Sequence, residues 1–196
     1  EKLRLRIARD LHDEMGSTLS SISILSEAAL RGLQADIDRV RFSTIGNRAR
    51  QMMETMSDIV WSVNPQNDSM ENVLQRMKEF AVEILEPQEI ALHFEADEAV
   101  KNLNLPMEQR KDFYLLFKEA VNNAAKYSEA SDLWVRVLAD GNGLLLEVRD
   151  NGRGFDPKQA KRGNGLWNME RRAERMGAKF VLESRAGEGT AVQVKF

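Results

Sequence analysis

Cysteine is absent from this sequence of 196 residues, and histidine occurs only twice. The lack of cysteine excludes disulfide bonds, thiolate catalysis and cysteine-ligated metals. His12 and His93 are too few and too far apart in the sequence to indicate a zinc site. No apolar run approaches the roughly 18 residues that a membrane-spanning helix needs. A content of 42% hydrophobic and 30% charged residues is that of an ordinary globular protein.

The sequence also has no excess of basic residues: it contains 28 lysines and arginines and 31 acidic residues, which gives a net charge of −3. This balance argues against nucleic-acid binding. An initiator methionine is also lacking, and the first residues fit a helix interior. We therefore expect a cytoplasmic fragment of a longer protein, with any sensor or membrane segment upstream of it.

Residues 1–63 predict two amphipathic helices, because apolar or small residues recur at every third or fourth position. In the first helix these are Ala8, Leu11, Met15, Thr18, Ile22, Leu25 and Ala29. In the second they are Ile45, Ala49, Met52, Met56, Ile59 and Val63. Gly32 and the polar residues after it fit a hairpin. Because two copies paired as a four-helix bundle bury both apolar faces, we predict a homodimer through residues 1–63.

The pattern changes after Asn64, where a polar stretch with Pro65 breaks the helical period. The sequence predicts a helical domain at 1–64, a linker at 65–69 and an α+β sandwich at 70–196, with helices on one face of a mixed sheet. Helices are expected near 70–86, 107–127 and 166–176. Strands are expected at 90–94, 133–138, 144–148, 179–184 and 191–196.

Three segments of the second domain carry candidate chemistry, although P-loop, dinucleotide-fold and protein-kinase signatures are all absent. The first lies on the long helix and ends at Tyr127. Glu119 and Asn123 are four residues apart, so they share a helix face and offer the oxygen ligands that Mg²⁺ prefers. Lys126 follows three residues later and suits a phosphate. The alternative for this segment is a solvated helix face.

The second segment, at the end of an apolar strand, is Asp150 followed by Gly152 and Gly154. The carboxylate suits an exocyclic amine, and the glycines let the backbone approach a flat base; a plain tight turn is the alternative. In the third, Gly163 and Gly165 precede Leu166 at a helix start, where free N–H groups favour phosphate. An ordinary helix start is the alternative there.

Together these segments resemble the Bergerat ATP-binding fold, which histidine kinases share with gyrase-type, heat-shock and mismatch-repair ATPases. The resemblance covers residues 70–196 and implies ATP and Mg²⁺. It implies that Asn123 is the Mg²⁺ ligand and that Asp150 reads adenine; the spacing of the residues adds Glu119 as a second candidate ligand of the metal. It implies hinges of the ATP lid at four glycines and further nucleotide contacts on the long helix, the last helix and the last hairpin. These residues are Gly152, Gly154, Gly163, Gly165, Lys126, Tyr127, Leu166 and Thr190.

The N-terminal segment 9–19, Arg-Asp-Leu-His-Asp-Glu-Met-Gly-Ser-Thr-Leu, resembles the phosphoacceptor box of the His-Asp subfamily of sensor histidine kinases. The resemblance implies phosphorylation of His12 and a response regulator as partner. From the residues alone, Asp13 is suited to take the imidazole proton, whereas a lone histidine is more often packed at the edge of a bundle. Many members carry Gln five residues after the phosphoacceptor; Ser17 stands there, so the resemblance does not extend to phosphatase activity.

The resulting hypothesis is a sensor histidine kinase core that autophosphorylates at His12 and passes the phosphoryl group to an aspartate of a response regulator. One alternative is a gyrase- or chaperone-like ATPase, which leaves the His12 segment unexplained. Another is a dimeric scaffold that binds nucleotide without turnover. A coiled-coil interaction protein explains residues 1–63 only.

Overall fold

The computed structural model describes residues 69–141, 143–157 and 164–196, together with 18, 21, 22, 25, 40, 44–47, 52 and 58. The chain divides into two compact units, 1–64 and 65–196. Every described residue of the first unit is α-helical, and Asp58 is buried there. His12, Asp13 and Gly163 lie outside the described residues. In the part of the chain that is described, no helix is both long and apolar enough to cross a membrane.

The second unit is an α+β sandwich in which helices cover one face of a five-stranded sheet. Its longer helices are α1 (Met70–Leu85), α3 (Met107–Asn123) and α4 (Asn164–Met176), with a short α2 (Glu98–Lys101). Its strands are β1 (Ala91–Ala96), β2 (Asp132–Asp140), β3 (Gly143–Asp150), β4 (Lys179–Arg185) and β5 (Gly189–Lys195). The predicted class and order of elements are confirmed, with helix and strand ends shifted by a few residues.

The helix ends follow from local chemistry. The Ser69 side chain accepts a hydrogen bond from the backbone N–H of Asn72 and so caps the start of α1. Pro87 lies just beyond the end of α1, where a ring without an N–H opposes further helix. Gly177, with φ of +73°, terminates α4 in the left-handed conformation that helix ends favour.

The sheet has the order β1-β2-β3-β5-β4, with β1 parallel to β2 and every other pair antiparallel. Alternate residues of each strand face the helices, as the two-residue period of a strand requires. Those of the three central strands are buried: Leu133, Val135, Val137, Leu144, Leu146, Val148, Val192 and Val194. Helix α3 contacts β3 and packs against both α1 and α4, while α1 contacts β1 and α4 contacts β4, so one core holds these helices on the sheet.

The long helix ends differently from the expectation. Its α-helical part stops at Asn123, and residues Ala124–Ser128 form a π-helical turn before Glu129 takes a φ of +56°. A π turn holds more residues than an α turn, so it rotates later side chains away from the positions that α-helical spacing predicts. Such turns occur frequently at functional sites.

Candidate functional site

A cleft of about 570 Å³ opens between α3, α4 and the ends of the central strands. Its lining is mainly apolar, with Ala120, Val148, Met169 and Val192 each at most 5% exposed. A few polar groups converge on this surface. Such a combination is typical of a small-molecule site.

The first predicted segment lines one wall of the cleft. Glu119 and Asn123 both face into it from α3, as their four-residue spacing predicts. Tyr127 lies at the mouth, 61% exposed, and Lys126 is exposed but does not line the cleft. The reason is the π turn, because a residue three positions after Asn123 no longer reaches the same face while the fourth does.

Asp150 lies at the base of the cleft and is 5% exposed. Its Oδ1 accepts hydrogen bonds from the backbone N–H groups of Gly152 (2.9 Å) and Thr190 (3.3 Å). Burial raises the pKa of the Asp150 carboxyl above its usual 3.8, and the two backbone hydrogen bonds oppose that rise. With Oδ1 held by the protein, Oδ2 is the atom suited to a ligand.

The third segment meets the first through Gly165 at the start of α4. A Cβ atom at Gly165 would lie 2.2 Å from Oε1 of Glu119 and 3.6 Å from Nδ2 of Asn123. The N-terminal turn of α4 therefore rests directly on the two candidate metal ligands. Leu166 also lines the cleft.

The β4–β5 hairpin holds the loop that follows Asp150 through two hydrogen bonds. Gly187 donates its N–H to the carbonyl of Arg153 (2.6 Å), and Phe155 donates its N–H to the Ser184 hydroxyl (2.9 Å). Thr190 lines the cleft as well as bonding Asp150. Arg153 and Phe155 also face the cleft, and sequence reasoning did not select either of them.

Of the predicted nucleotide-site residues that the structure describes, all except Lys126 and Gly152 line this one cleft, Gly154 included. Gly152 does not line it, but packs behind it against Ser128, whose carbonyl oxygen would lie 2.1 Å from a Cβ at Gly152.

The two units match two families. Residues 108–196 match the family described as histidine kinase-, DNA gyrase B- and HSP90-like ATPase. Residues 4–68 match the family described as histidine kinase, and together the two matches cover most of the chain. This chain belongs to the sensor histidine kinases. The second match separates this histidine kinase from the gyrase-like and chaperone-like ATPases, which share only the first.

Curated relatives agree with this assignment. The chain is 26% identical over 195 residues to the sensor histidine kinase LiaS of Bacillus subtilis (strain 168), covering 98% of this chain and 53% of LiaS. It is 24% identical over 203 residues to the signal transduction histidine-protein kinase/phosphatase DegS of the same organism, with 100% and 53% covered. The chain therefore spans about half the length of these relatives.

Solved structures show the same fold. The histidine kinase domain of the blue-light activated histidine kinase EL346 from Erythrobacter litoralis superposes with a TM-score of 0.58 at 15% identity, covering 92% of this chain and 94% of that one. The histidine kinase AdeS of Acinetobacter baumannii gives a TM-score of 0.63 at 13% identity, with 94% and 96% covered. The predicted Bergerat-type fold is confirmed by these likenesses.

Proposed function

We propose that this chain uses ATP to phosphorylate His12 and passes the phosphoryl group to an aspartate of a response regulator. The observation that carries the proposal is the single cleft into which Glu119, Asn123, Asp150 and Gly165 converge. The match of residues 4–68 to the histidine kinase family, which includes His12, supports the choice of acceptor. The matched ATPase family supports ATP as donor.

In this proposal the buried Asp150 reads the adenine amine through Oδ2. Two neighbours already occupy Oδ1, so the carboxylate is oriented before the base arrives. A preoriented acceptor loses little conformational entropy on binding. The apolar lining around it, including Val148 and Met169, suits the flat faces of a base.

Glu119 and Asn123 are the proposed Mg²⁺ ligands. Their carboxylate and amide groups share one face of α3 and line the cleft, which fits a cation that takes oxygen ligands and keeps several waters. Among the described residues no group of three or more His, Cys, Asp or Glu could hold a metal. Two protein groups would suffice for Mg²⁺ that is bound together with a nucleotide, because proteins usually hold this ion by one or two carboxylates and the phosphates of the substrate. When bound, Mg²⁺ neutralises charge on the phosphates.

The phosphate end of the site is proposed to lie at the start of α4. Backbone N–H groups of the first helical turn, which have no partner within the helix, favour an anion beside Gly165. Phosphoryl transfer needs positioning and charge neutralisation more than covalent help from the protein. Asp13 is proposed to accept the proton of one ring nitrogen of His12 while the other nitrogen attacks the γ-phosphorus; the bond from that phosphorus to the β,γ-bridging oxygen breaks, and ADP leaves. The 65–69 segment is proposed as the linker between the two domains.

Incubation with γ-labelled ATP tests the proposal. The parent should take up acid-labile, base-stable label, as a phosphohistidine does. His12→Gln and Asp150→Ala should take up none, whereas Asp13→Asn should slow uptake by roughly 10²- to 10⁴-fold, the usual contribution of a general base. His93→Gln is the matched control, because it removes the only other histidine of the chain and should keep the parental rate.

Two outcomes would contradict this reading. Parental uptake by His12→Gln would show that another residue is the acceptor. Steady phosphate release by the parent without any labelled protein would indicate water as the acceptor, as in a gyrase-like ATPase.

A further inference from the structure

Asn151, the residue after Asp150, uses all the hydrogen-bonding capacity of its side chain. Its Oδ1 accepts the backbone N–H groups of Ser131 (3.1 Å) and Asp132 (3.0 Å). Its Nδ2 donates to Ser131 Oγ (2.9 Å) and Asp132 Oδ2 (3.2 Å). An asparagine has two lone pairs and two amide hydrogens to offer, so no capacity is left for a ligand. The side chain instead binds Ser131 and Asp132, at the start of β2.

These hydrogen bonds of Asn151 lie at the centre of the turn that orients Asp150. The Gly152 N–H reaches back across residue 151 to Oδ1 of Asp150 at 2.9 Å. The backbone N–H of Asn151 itself donates to the carbonyl of Asp132 at 3.4 Å. A rotation of residue 151 would displace the Gly152 N–H and leave Oδ1 of Asp150 with the longer hydrogen bond from Thr190 alone, so the carboxylate would be less firmly oriented.

The other side of the turn is fixed by close packing. Gly152 lies against Ser128, and the Arg153 N–H donates to the Ser128 carbonyl at 2.7 Å. Ser128 in turn ends the π turn that carries Tyr127 to the cleft. The loop after Asp150 is therefore held from two directions, by the π turn that follows α3 on one side and by Asn151 on the other.

We infer that Asn151 is a positioning residue of the nucleotide site, which holds the Asp150 carboxylate in the orientation that recognises an exocyclic amine. The inference rests on the proposed function, since it assigns Asp150 to the base. Asn151 itself is exposed and does not line the cleft. It acts through Asp150.

A purely structural role for Asn151 makes a different prediction. If the side chain only stabilised the junction of β2 and β3, its loss would lower the affinity of the cleft for every ligand by a similar factor. A positioning role predicts a selective loss, confined to ligands that carry the amine. Selectivity between two nucleotides separates the two roles because it cancels general effects on stability.

The experiment measures dissociation constants of the full chain for ATP and for purine riboside triphosphate, which lacks the exocyclic amine. The parent should prefer ATP by roughly 10- to 100-fold, the range for a hydrogen bond to a charged group. Asn151→Ala should bind ATP at least about tenfold more weakly while its affinity for the analogue changes by less than about twofold. The matched control Asn104→Ala removes an exposed loop asparagine and should keep the parental preference.

Exchanging the amide of Asn151 and the carboxylate of Asp132 tests the positioning role in a second, independent way. Asn151→Asp places a carboxylate next to Oδ2 of Asp132, so repulsion should abolish the preference for ATP. Asp132→Asn supplies an amide that can donate to the new carboxylate, and the double variant should recover most of the parental preference. Asp132→Asn alone should be mild, because its amide oxygen can still accept from Asn151 while its amide nitrogen faces the ring nitrogen of His93, which can accept in one tautomer.

The outcomes distinguish the proposed function from the positioning role of Asn151. A parent that binds neither nucleotide would overturn the proposed function. A discriminating parent with an unchanged preference in Asn151→Ala would overturn the positioning role alone. If Asn151→Ala does not fold, the exchange decides: recovery in the double variant supports the role, and a double variant as indifferent to the amine as Asn151→Asp contradicts it.

Discussion

The carboxyl group of Asp150 combines burial with a role that needs its negative charge. Its pKa is raised by burial, so the folded chain binds this proton more tightly than the unfolded chain does. The contribution to stability is therefore full below the unfolded pKa of 3.8 and is lost as the pH rises through the folded pKa. At neutral pH the ionised group lowers stability and serves recognition.

Asp150→Asn should consequently separate stability from binding. The amide oxygen can still accept from Gly152 and Thr190, and no charge is buried, so the midpoint of thermal unfolding at pH 7 should rise. That gain should shrink as the pH falls toward 3.8. ATP affinity should drop by roughly 10- to 100-fold, because an amide donor faces an amine donor. Calorimetric melts at several pH values and nucleotide titrations check both parts; a melting midpoint below the parental one at pH 7 would argue against the burial cost.

Two glycines of the site should respond to alanine in opposite ways. A Cβ at Gly165 would meet the mobile end of the Glu119 side chain, which can swing aside, so folding should survive. The displaced carboxylate should reduce Mg²⁺-dependent autophosphorylation by at least roughly tenfold. Gly154→Ala instead meets the backbone oxygen of Arg185 at 1.9 Å with φ at +55°, and should lose about 2 kcal/mol or more of stability.

Denaturant unfolding and labelled-ATP uptake of both variants provide the check. A Gly165→Ala protein with parental activity would show that the contact between α4 and Glu119 has no bearing on catalysis. A Gly154→Ala protein with parental stability would mean that the loop can shift without cost.

At the scale of elements, α3 and α4 are joined by an ionic cluster at a distance from the cleft. Asp112 accepts hydrogen bonds from Arg172 Nη1 (3.0 Å), Arg175 Nε (2.9 Å) and Arg175 Nη2 (2.6 Å), and only 10% of its side chain is exposed. Arg172 is also mostly covered, at 18%. Because Gly165 lies in the first turn of α4, this cluster helps to fix the helix whose start rests on Glu119.

Asp112→Ala should therefore affect both stability and binding. Removing one partner of a largely buried ionic cluster should lower the free energy of unfolding by about 2 to 3 kcal/mol. Weaker docking of α4 should also reduce ATP affinity, and saturating Mg-ATP should restore part of the stability. Urea unfolding with and without nucleotide measures this. Glu98→Gln, which breaks the exposed pair with Lys101, is the control and should leave the urea midpoint unchanged; an equally unchanged midpoint in Asp112→Ala would refute the role of the cluster.

Local sequence patterns predicted most of the elements and missed what depends on distant contacts. Runs of apolar residues predicted the five strands, because one face of each strand is turned toward the helices and is less exposed than the other. The π turn was missed since Ala124, Ala125 and Lys126 continue a good helical pattern. The grip of Asn151 on Ser131 joins residues 20 apart in sequence, so no local spacing signals it.

At the scale of the whole chain, each of the two compact units is matched by a different family, the first over residues 4–68 and the second over residues 108–196. The ATPase match lies wholly within the second unit, and so does the cleft. The proposed acceptor and the proposed dimer contacts lie in the first. Nucleotide binding and assembly should therefore be separable by truncation.

A fragment of residues 65–196 should bind ATP within about twofold of the full chain, run as a monomer and take up no label. The full chain should be a dimer, because amphipathic helices leave apolar faces that a second copy can cover. Light scattering coupled to size exclusion, with nucleotide titration, tests both. A monomeric full chain at micromolar concentration or a dimeric fragment would contradict the assignment of the dimer contacts to residues 1–63.

The π turn at Ala124–Ser128 is in effect an otherwise regular helix with one residue too many. Deleting Ala124 would rewind it, leave one fewer backbone position between Asn123 and Ser128, and draw Ser128 away from the Arg153 N–H that its carbonyl accepts. The length of the backbone, as much as the choice of amino acid, therefore keeps the loop after Asp150 in place. The shortened chain should bind ATP at least about tenfold more weakly than the parent in a nucleotide titration, and parental affinity would contradict this consequence.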